Sequence, residues 1–504
     1  MQTILTLSIL ILLQITAGIS PAAAQRSLGS SENVSMIYDE QPNIESDQIS
    51  YRFFTHFNRG SDIIPFWFYA NTHGLLRPGS KVNSISGIAL NTPITSNDSS
   101  FDIRLGTTLV NRISDLSNTI HFQQLFGEVQ YRFAKLKIGR FYRMNDFDKS
   151  IEGLTTGFMV ESHNAIPYPR ISIETDGFTP IPGTGKHLQL RLHYSDGILE
   201  SDRFISSPYI HHKSLQLRYD FNRLSIQLGI FHSVMWAGKD KELGQLPRSF
   251  KDYLRVVFSR SGNEESNAPY SDQLNRLGNS IGVYEFGFTY HAQNFKLLGY
   301  RHLFLEDELS VKLQSPWDGI WGIGIVNEKE NRLINSVVYE HLNSIQQESQ
   351  NNLAQGRANF YNNGIYKDGW TYKGRLMGNP LFTYNPDQRE VVNNIMIAHH
   401  LGIKGHLTER ISYHTMITYS RNYGVCQDQI ISGRCSILPG DRVPDDLELR
   451  PRSELRKDRI SGILRLQFLL LPDQNLYMHS SFAADGGDFW QNRYGFMLGI
   501  SISG

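Results

Sequence analysis

The chain has 504 residues with 49 Lys+Arg against 49 Asp+Glu, a formal net charge of +0. That balance excludes the basic excess expected of a nucleic-acid binder. Aromatics make up 12% and mean hydropathy is −0.34, which excludes both a disordered chain and a bundle of membrane-spanning helices.

At the N-terminus, Ile4 to Ile19 is a largely apolar run followed by Ala22-Ala23-Ala24. This is the hydrophobic region and small-residue cleavage site of a secretory signal peptide, so residues 1–24 read as a leader cut after Ala24. Residues 25–50 form a polar lead-in. Beyond it, period-two alternation dominates. Phe101, Ile103, Leu105 and Leu109 share one face of an extended segment, and Asp102, Arg104 and Gly106 share the other. The pattern recurs in Leu188-Leu190-Leu192-Tyr194, Leu224-Ile226-Leu228-Ile230 and Tyr284-Phe286-Phe288-Tyr290. Ile411-Tyr413-Ile417-Tyr419, Leu464-Leu466-Phe468-Leu470 and Tyr494-Phe496-Leu498-Ile500-Ile502 continue it. Long strands with apolar and aromatic residues on one face and Arg, Glu, His and Gln on the other are expected of an all-β, transmembrane antiparallel β-barrel over residues 51–504. A secreted soluble β protein alternates in the same way and stands as the other architecture.

Three long insertions interrupt the strands: 238–279, where Arg248 to Phe258 has the spacing of a short helix, then 340–382 and 421–458. Cys426 and Cys435 lie in the last, and an oxidising compartment predicts a disulfide between them. Insertions this rich in aromatics favour a plugged barrel over an open one.

Four stretches resemble the Wzi family of capsule assembly proteins. They are His212-Lys-Ser-Leu-Gln-Leu-Arg-Tyr219 running on to Gly238, then Leu243 to Tyr253 with Leu277-Gly-Asn279. Tyr300-Arg-His-Leu-Phe-Leu-Glu-Asp307 continues to Pro316-Trp-Asp-Gly-Ile-Trp-Gly322, and Tyr361 to Leu381 is the last. The resemblance implies an outer-membrane barrel of about 18 strands, with long loops and a few short helices plugging the lumen or lying at the periplasmic side. It implies a non-catalytic protein without cofactor, placed in the outer membrane of a Gram-negative-type cell. Its partners there would be membrane lipids, lipopolysaccharide and the exported capsular or exopolysaccharide that it attaches to the surface.

Sugar recognition needs aromatic faces beside hydrogen-bonding groups. Tyr366, Trp370 and Tyr372 with Asp368 and Arg375 supply both if their segment faces outward, and Trp317 is a further stacking candidate. The alternative is that the segment packs into the barrel mouth. Glu306-Asp307-Glu308 with Asp318 reads first as a salt-bridge network, without the spacing of a calcium loop. The neighbours His211-His212 and His399-His400 point to opposite faces of a strand and are not expected to share a metal ion. The serine elbow of hydrolases is absent, although Ser233 beside His232 keeps a serine hydrolase among the alternatives. The second function class is a porin or specific uptake channel, with Arg104, Gln189, Arg191, Glu285 and Arg465 as its selectivity wall.

Overall fold

The computed structural model describes residues 49–94, 101–143, 145–306, 311, 313, 315–329, 331–347, 359–425 and 455–504. Cys426, Cys435, Asp307 and Glu308 fall outside them. One antiparallel sheet holds eighteen wall strands and a two-residue piece, Thr179–Pro180. In chain order the wall strands are β1 (Ser50–Gly60), β2 (Val82–Pro93), β3 (Phe101–Ser114), β4 (Asn118–Tyr131), β5 (Ala134–Arg140) and β6 (Pro169–Thr175). Then come β7 (Leu188–Ile198), β8 (Tyr209–Phe221), β9 (Leu224–Trp236), β10 (Asn279–His291), β11 (Phe295–Leu305) and β12 (Gly319–Asn327). The ring is completed by β13 (Ser336–Asn343), β14 (Met396–Thr408), β15 (Ile411–Asn422), β16 (Lys457–Leu471), β17 (Leu476–Gly487) and β18 (Arg493–Ser503). Each strand pairs with the next, and β1 pairs with β18 from Arg52↔Ser503 to Gly60↔Gly495, which closes the barrel.

The alternation read from the sequence is the difference between outside and inside. Ile226, Leu228 and Ile230 are exposed on the outer wall, while Gln227 between them is buried and its amide donates to Glu285 Oε1 at 2.7 Å. Phe286, Phe288 and Tyr290, and likewise Tyr494, Phe496 and Leu498, are also exposed outward. An apolar outer face with a polar inner one is the inverse of a soluble protein and is what lipid selects.

The two ends differ. Where β1 starts and β18 stops, many connections are tight, such as 132–133, 222–223 and 409–410. Arg132 and Asn222 take the left-handed conformation, φ 52° and 51°, that two-residue hairpin turns demand. The opposite end carries the long connections 61–81, 141–168, 237–278 and 344–395. The last of these differs from the expected 340–382, because Ser336–Asn343 pairs as a strand and the chain re-enters the wall only at Met396. The expected short helix at 248–258 forms as a helix over Phe250–Val257.

The lumen is occupied. A helical turn, α1 (Phe66–Tyr69), brings Phe66, Trp67 and Phe68 inside. Residues 141–168 run from the long-loop end of β5 to the far end of the barrel, where Lys296 Nζ donates to Asp148 Oδ1 at 2.8 Å and Ser336 Oγ donates to the Ser150 carbonyl at 3.1 Å. Wall side chains hold this segment by its backbone. Glu340 accepts the Thr156 amide at 2.6 Å, His400 and His414 bond the Leu154 and Gly153 carbonyls at 2.8 Å, and Arg465 donates to the Trp67 carbonyl at 3.0 Å. Gly402 faces the same segment, and a Cβ there would strike the Leu154 carbonyl. Of the residues expected to line an ion path, Arg465 acts as a hook for the plug, whereas Arg104 pairs with Asp102, Gln189 donates to Asp220, and Glu285 accepts from Gln216 and Gln227 within the wall.

Connection 237–278 takes a different course and packs on the outside of the wall. Its second helix, α3 (Tyr270–Leu274; α2 being Phe250–Val257), buries Asp272, whose carboxylate accepts the Gly278 amide at 2.9 Å. Burial pushes that carboxyl up to about 6. The neutral acid is favoured in the fold, so its contribution is full below the ordinary value of 3.8 and is lost as pH rises through about 6.

Two outcomes are expected. Reconstituted in planar bilayers, the protein passes no steady large current, and a variant lacking residues 146–160 does. Limited proteolysis within 237–278 quickens between pH 5 and pH 7, by no more than about 1.4 kcal/mol of local opening, and Asp272→Asn abolishes that dependence.

Candidate functional site

At the long-loop end, segment 359–395 lies across the plug and forms the outward floor of the mouth. It contains most of the residues read as sugar-binding, and the structure places them inward. Trp370 is fully buried and its Nε1 donates to the Val160 carbonyl at 2.8 Å. Tyr366 donates its hydroxyl to the Ala237 carbonyl at 3.1 Å, and Tyr372 packs edge-on against Tyr168 with ring centres 6.1 Å apart. Arg375, half-buried, donates to the Leu76 carbonyl at 2.9 Å, the Tyr69 carbonyl at 2.6 Å and Asn164 Oδ1 at 2.8 Å. Desolvation draws its guanidinium down to about 10, so it stays charged at neutral pH. The side chains of Tyr366, Trp370, Tyr372 and Arg375 do not face outward as the stacking assignment required. These rings have no free face for a sugar because they join three loops into one floor. Gly378 shows how tight the joint is, since a Cβ would strike both the Met159 carbonyl and the Tyr361 hydroxyl.

Asp368 is the hinge between this floor and an exposed cluster. It is itself buried, accepts the Phe204 amide at 2.6 Å and pairs with Arg389 Nε at 3.0 Å. Arg389 in turn donates to the Asp202 carbonyl at 2.7 Å. Phe204 is 42% exposed and carries the Lys367 ammonium 4.7 Å from its ring centre. The Asp202 side chain is 98% exposed and that of Arg389 39%. Tyr384 stands in the field of Asp368 and Arg389, and burial pushes its hydroxyl above the ordinary value. Loop 199–208 is held to the floor by Arg203, whose Nη1 donates to the Thr371 carbonyl at 2.6 Å and whose Nη2 donates to the Gly369 carbonyl at 3.1 Å. An aromatic face, an ammonium, a guanidinium and the exposed carboxylate of Asp202, 3.4 Å from that guanidinium, thus share one rigidly mounted outward patch.

Sequence reasoning passed over Asp202, Phe204, Lys367, Tyr384 and Arg389. They come from separated stretches, and none stands out from its neighbours until Asp368 joins them. A polar residue such as Asp368, fixed inside an aromatic segment, was the available signal.

Trp317 is 57% exposed, 6.4 Å from Trp321 between ring centres. Trp321 covers the Arg301 guanidinium at 4.6 Å, and Arg301 donates to the Pro316 and Asp318 carbonyls at 2.9 Å. Trp317 therefore belongs to the outer rim, apart from the patch around Phe204. Asp318 accepts the Gln346 and Gln347 amides at 2.9 and 2.7 Å, and Glu306 accepts those of Asn359 and Tyr361 at 2.6 and 2.9 Å. Both carboxylates bind backbone. Among the described residues no group of three or more His, Cys, Asp or Glu is placed to hold a metal ion.

The histidine pairs split as a strand requires. His212 faces the lumen and contacts Arg143 at 2.6 Å, whereas His211 faces outward and pairs with Asp196 at 3.0 Å. His232 likewise faces outward, bonded to Ser280 Oγ at 2.6 Å, while Ser233 faces inward and donates to the His211 carbonyl. They make no catalytic pair. A serine–histidine–carboxylate line does occur elsewhere on the inner wall: His193 bonds Glu174 Oε2 at 2.8 Å and Ser195 Oγ at 3.0 Å. Ser195 is 2% exposed, so the hydroxyl has no room for an acyl substrate and the line acts as a wall network.

The family model described as capsule assembly protein Wzi matches residues 154–396, bearing out the resemblance of the four motifs. A solved Escherichia coli barrel, described as Wzi, an outer membrane protein involved in group 1 capsule assembly and a carbohydrate-binding β-barrel, shares the fold. Its TM-score is 0.54 at 13% identity, over 89% of this chain and 84% of its own. Two Pseudomonas aeruginosa barrels are more distant. OpdQ has a TM-score of 0.46 at 9% identity, over 90% of this chain and 98% of its own. OccK5 has 0.44 at 10%, over 90% and 97%. No curated protein sequence matches the chain.

The floor and the rim differ in what they tolerate. Trp370→Ala is expected to cost about 3–5 kcal/mol, seen as a lowered unfolding midpoint and faster proteolysis of 359–395. Trp317→Ala is expected to stay within about 0.5 kcal/mol in the same assays.

Proposed function

From the match of residues 154–396 to the family model of the capsule assembly protein Wzi and the geometry of the mouth, we propose that this barrel binds exported capsular or exopolysaccharide at the cell surface. By holding the polymer, it keeps the coat attached. It acts by binding alone, in the outer membrane of a Gram-negative-type cell, after residues 1–24 have directed export and been removed. Residues 25–50 are then a lead-in to the barrel.

The observation that carries this reading is the exposed patch of Phe204, Lys367, Asp202 and Arg389, mounted on a plug that fills the lumen. A pyranose ring has an apolar face and a rim of hydroxyls. Phe204 offers the flat surface for the first, while Arg389 and Asp202 offer donors and an acceptor for the second. Stacking needs a ring that does not yield when the polymer pulls, and the Phe204 backbone is pinned by Asp368. Several such contacts on one long polymer add through effective concentration, so a modest affinity at each repeat suffices for attachment. Trp317 on the rim provides a second surface along the same polymer.

An uptake channel requires a continuous polar path. Lys296, Glu340, His400, His414 and Arg465 of the inner wall are engaged with the plug that fills this space, which favours attachment over transport.

Phe204→Ala is expected to weaken binding of purified surface polysaccharide about tenfold, equivalent to about 1.4 kcal/mol, with the unfolding midpoint unchanged. In cells carrying that variant, attached polymer falls and shed polymer rises at equal total production. An unchanged distribution together with unchanged binding would refute the assignment.

A further inference from the structure

The outer wall carries a polar patch where lipid is expected. Asp196, His211 and Lys213 share the outward face of β7 and β8 with Leu192, Leu215 and Leu217, which are exposed as a lipid-facing belt. Helix α2 covers the patch. Its Tyr253 hydroxyl donates to Asp196 Oδ2 at 2.7 Å and meets the Tyr194 hydroxyl at 2.5 Å, while Lys213 Nζ donates to the Val257 carbonyl. Tyr253 also leans on Trp236, with ring centres 5.7 Å apart. A capping box between Ser249 and Asp252 fixes the start of the helix, and the Tyr253 and Val257 contacts hold it on the wall.

The opposite side of the helix has no cover. Phe250, Leu254 and Phe258 recur every fourth residue and so form one stripe, and they are 74%, 39% and 66% exposed. Tyr270 and Leu274 of α3 extend the apolar surface. Around the stripe, Arg248, Lys251, Arg255 and Arg260 outnumber the acids that meet them, Asp252 paired with Arg255 at 2.7 Å and Glu265 loosely with Lys251 at 3.9 Å. Between α2 and the strands lies a crevice of about 450 Å³, lined by Ile138, Ile171, Ile198, Tyr209, Trp236 and Tyr253 and open along the wall.

We propose that α2 is an interfacial helix, seated in the outer leaflet beside the barrel. Its Phe250, Leu254 and Phe258 edge lies among acyl chains, one chain fills the crevice, and its basic residues meet lipid phosphates. Three observations select lipid as the occupant. The stripe continues the belt formed by Leu192, Leu215 and Ile230, which already faces hydrocarbon. The cationic residues complement an anionic headgroup layer. The position is right as well: Asp196 and His211 lie two residues from their strand ends, about 7 Å below the rim. The inference rests on the barrel spanning the membrane and is independent of what the mouth binds.

The test uses the full barrel with Cys426→Ser and Cys435→Ser, reconstituted in vesicles of phosphatidylethanolamine and phosphatidylglycerol. Spin labels are placed singly by Phe250→Cys, Leu254→Cys, Phe258→Cys and, as the outward polar control, Lys251→Cys. Collision with oxygen reports the acyl region, and collision with a water-soluble nickel chelate reports water. At 250, 254 and 258 oxygen collision is expected to exceed nickel collision several-fold, with the order reversed at 251. Nickel-dominated collision at all four sites overturns the proposal by placing the helix in water. Low collision with both reagents, accompanied by dipolar broadening between labels, overturns it in favour of a second copy of the chain. Labelled protein that retains the protease resistance of the parent barrel shows that the helix is still docked.

Discussion

The pairing of β1 with β18 is the constraint from which the rest follows. In hydrocarbon an unpaired backbone amide has no water to turn to, so a strand can sit in the bilayer only with a neighbour on each side. The register from Arg52↔Ser503 to Gly60↔Gly495 removes the last free edge. Once the ring is closed, every wall residue has one of two destinations, lipid or lumen, and the period-two pattern is forced along every strand. Eighteen strands also enclose a lumen too wide for wall side chains to fill by themselves. It must then hold water or be filled by the chain.

This chain fills it. A set of buried polar groups on the inner wall is arranged as partners for the backbone of residues 141–168 and α1, because an unpaired carbonyl or amide in that interior would be costly. Glu340, His400, His414 and Arg465 meet that need from four different strands. The plug is thereby fixed to the wall at many points, and segment 359–395 is fixed to the plug through Trp370, Tyr361 and Arg375. A surface mounted on such a base has little freedom to rearrange. Under the proposed function, that rigidity lets an aromatic ring at the mouth hold a polymer without losing binding energy to loop ordering.

The same logic explains the departures from alternation on the outer wall. Asp196, His211 and Lys213 are polar groups on a face that lipid should penalise, and each is matched by a group from the 237–278 connection or by a neighbouring strand. Covering them with α2 moves the apolar boundary outward by one helix, so that Phe250, Leu254 and Phe258 stand where the wall would otherwise have been.

The sequence alone determined the alternating two-faced strands, and its family motifs pointed to the barrel they build. Alternation in Leu224-Ile226-Leu228-Ile230 and Tyr494-Phe496-Leu498 is a one-dimensional consequence of a two-faced wall, so a strand read in isolation already shows which residues share a face, and closure of the ring turns the apolar face to lipid. The family motifs fell inside the segment that the family model recognises, and His211-His212 split across the wall as adjacent strand residues must. Tertiary structure decided the direction of the loops. Tyr366, Trp370 and Tyr372 have the composition of a sugar platform and the position of a core, and composition is the same in both. Burial depends on what lies above and below a loop, here residues 141–168 and 199–208, which are remote in the chain. The exposed patch of Asp202, Phe204, Lys367 and Arg389 exists only because Asp368 joins two such remote segments. A contact between separated residues leaves no period or spacing in the sequence from which it could be read.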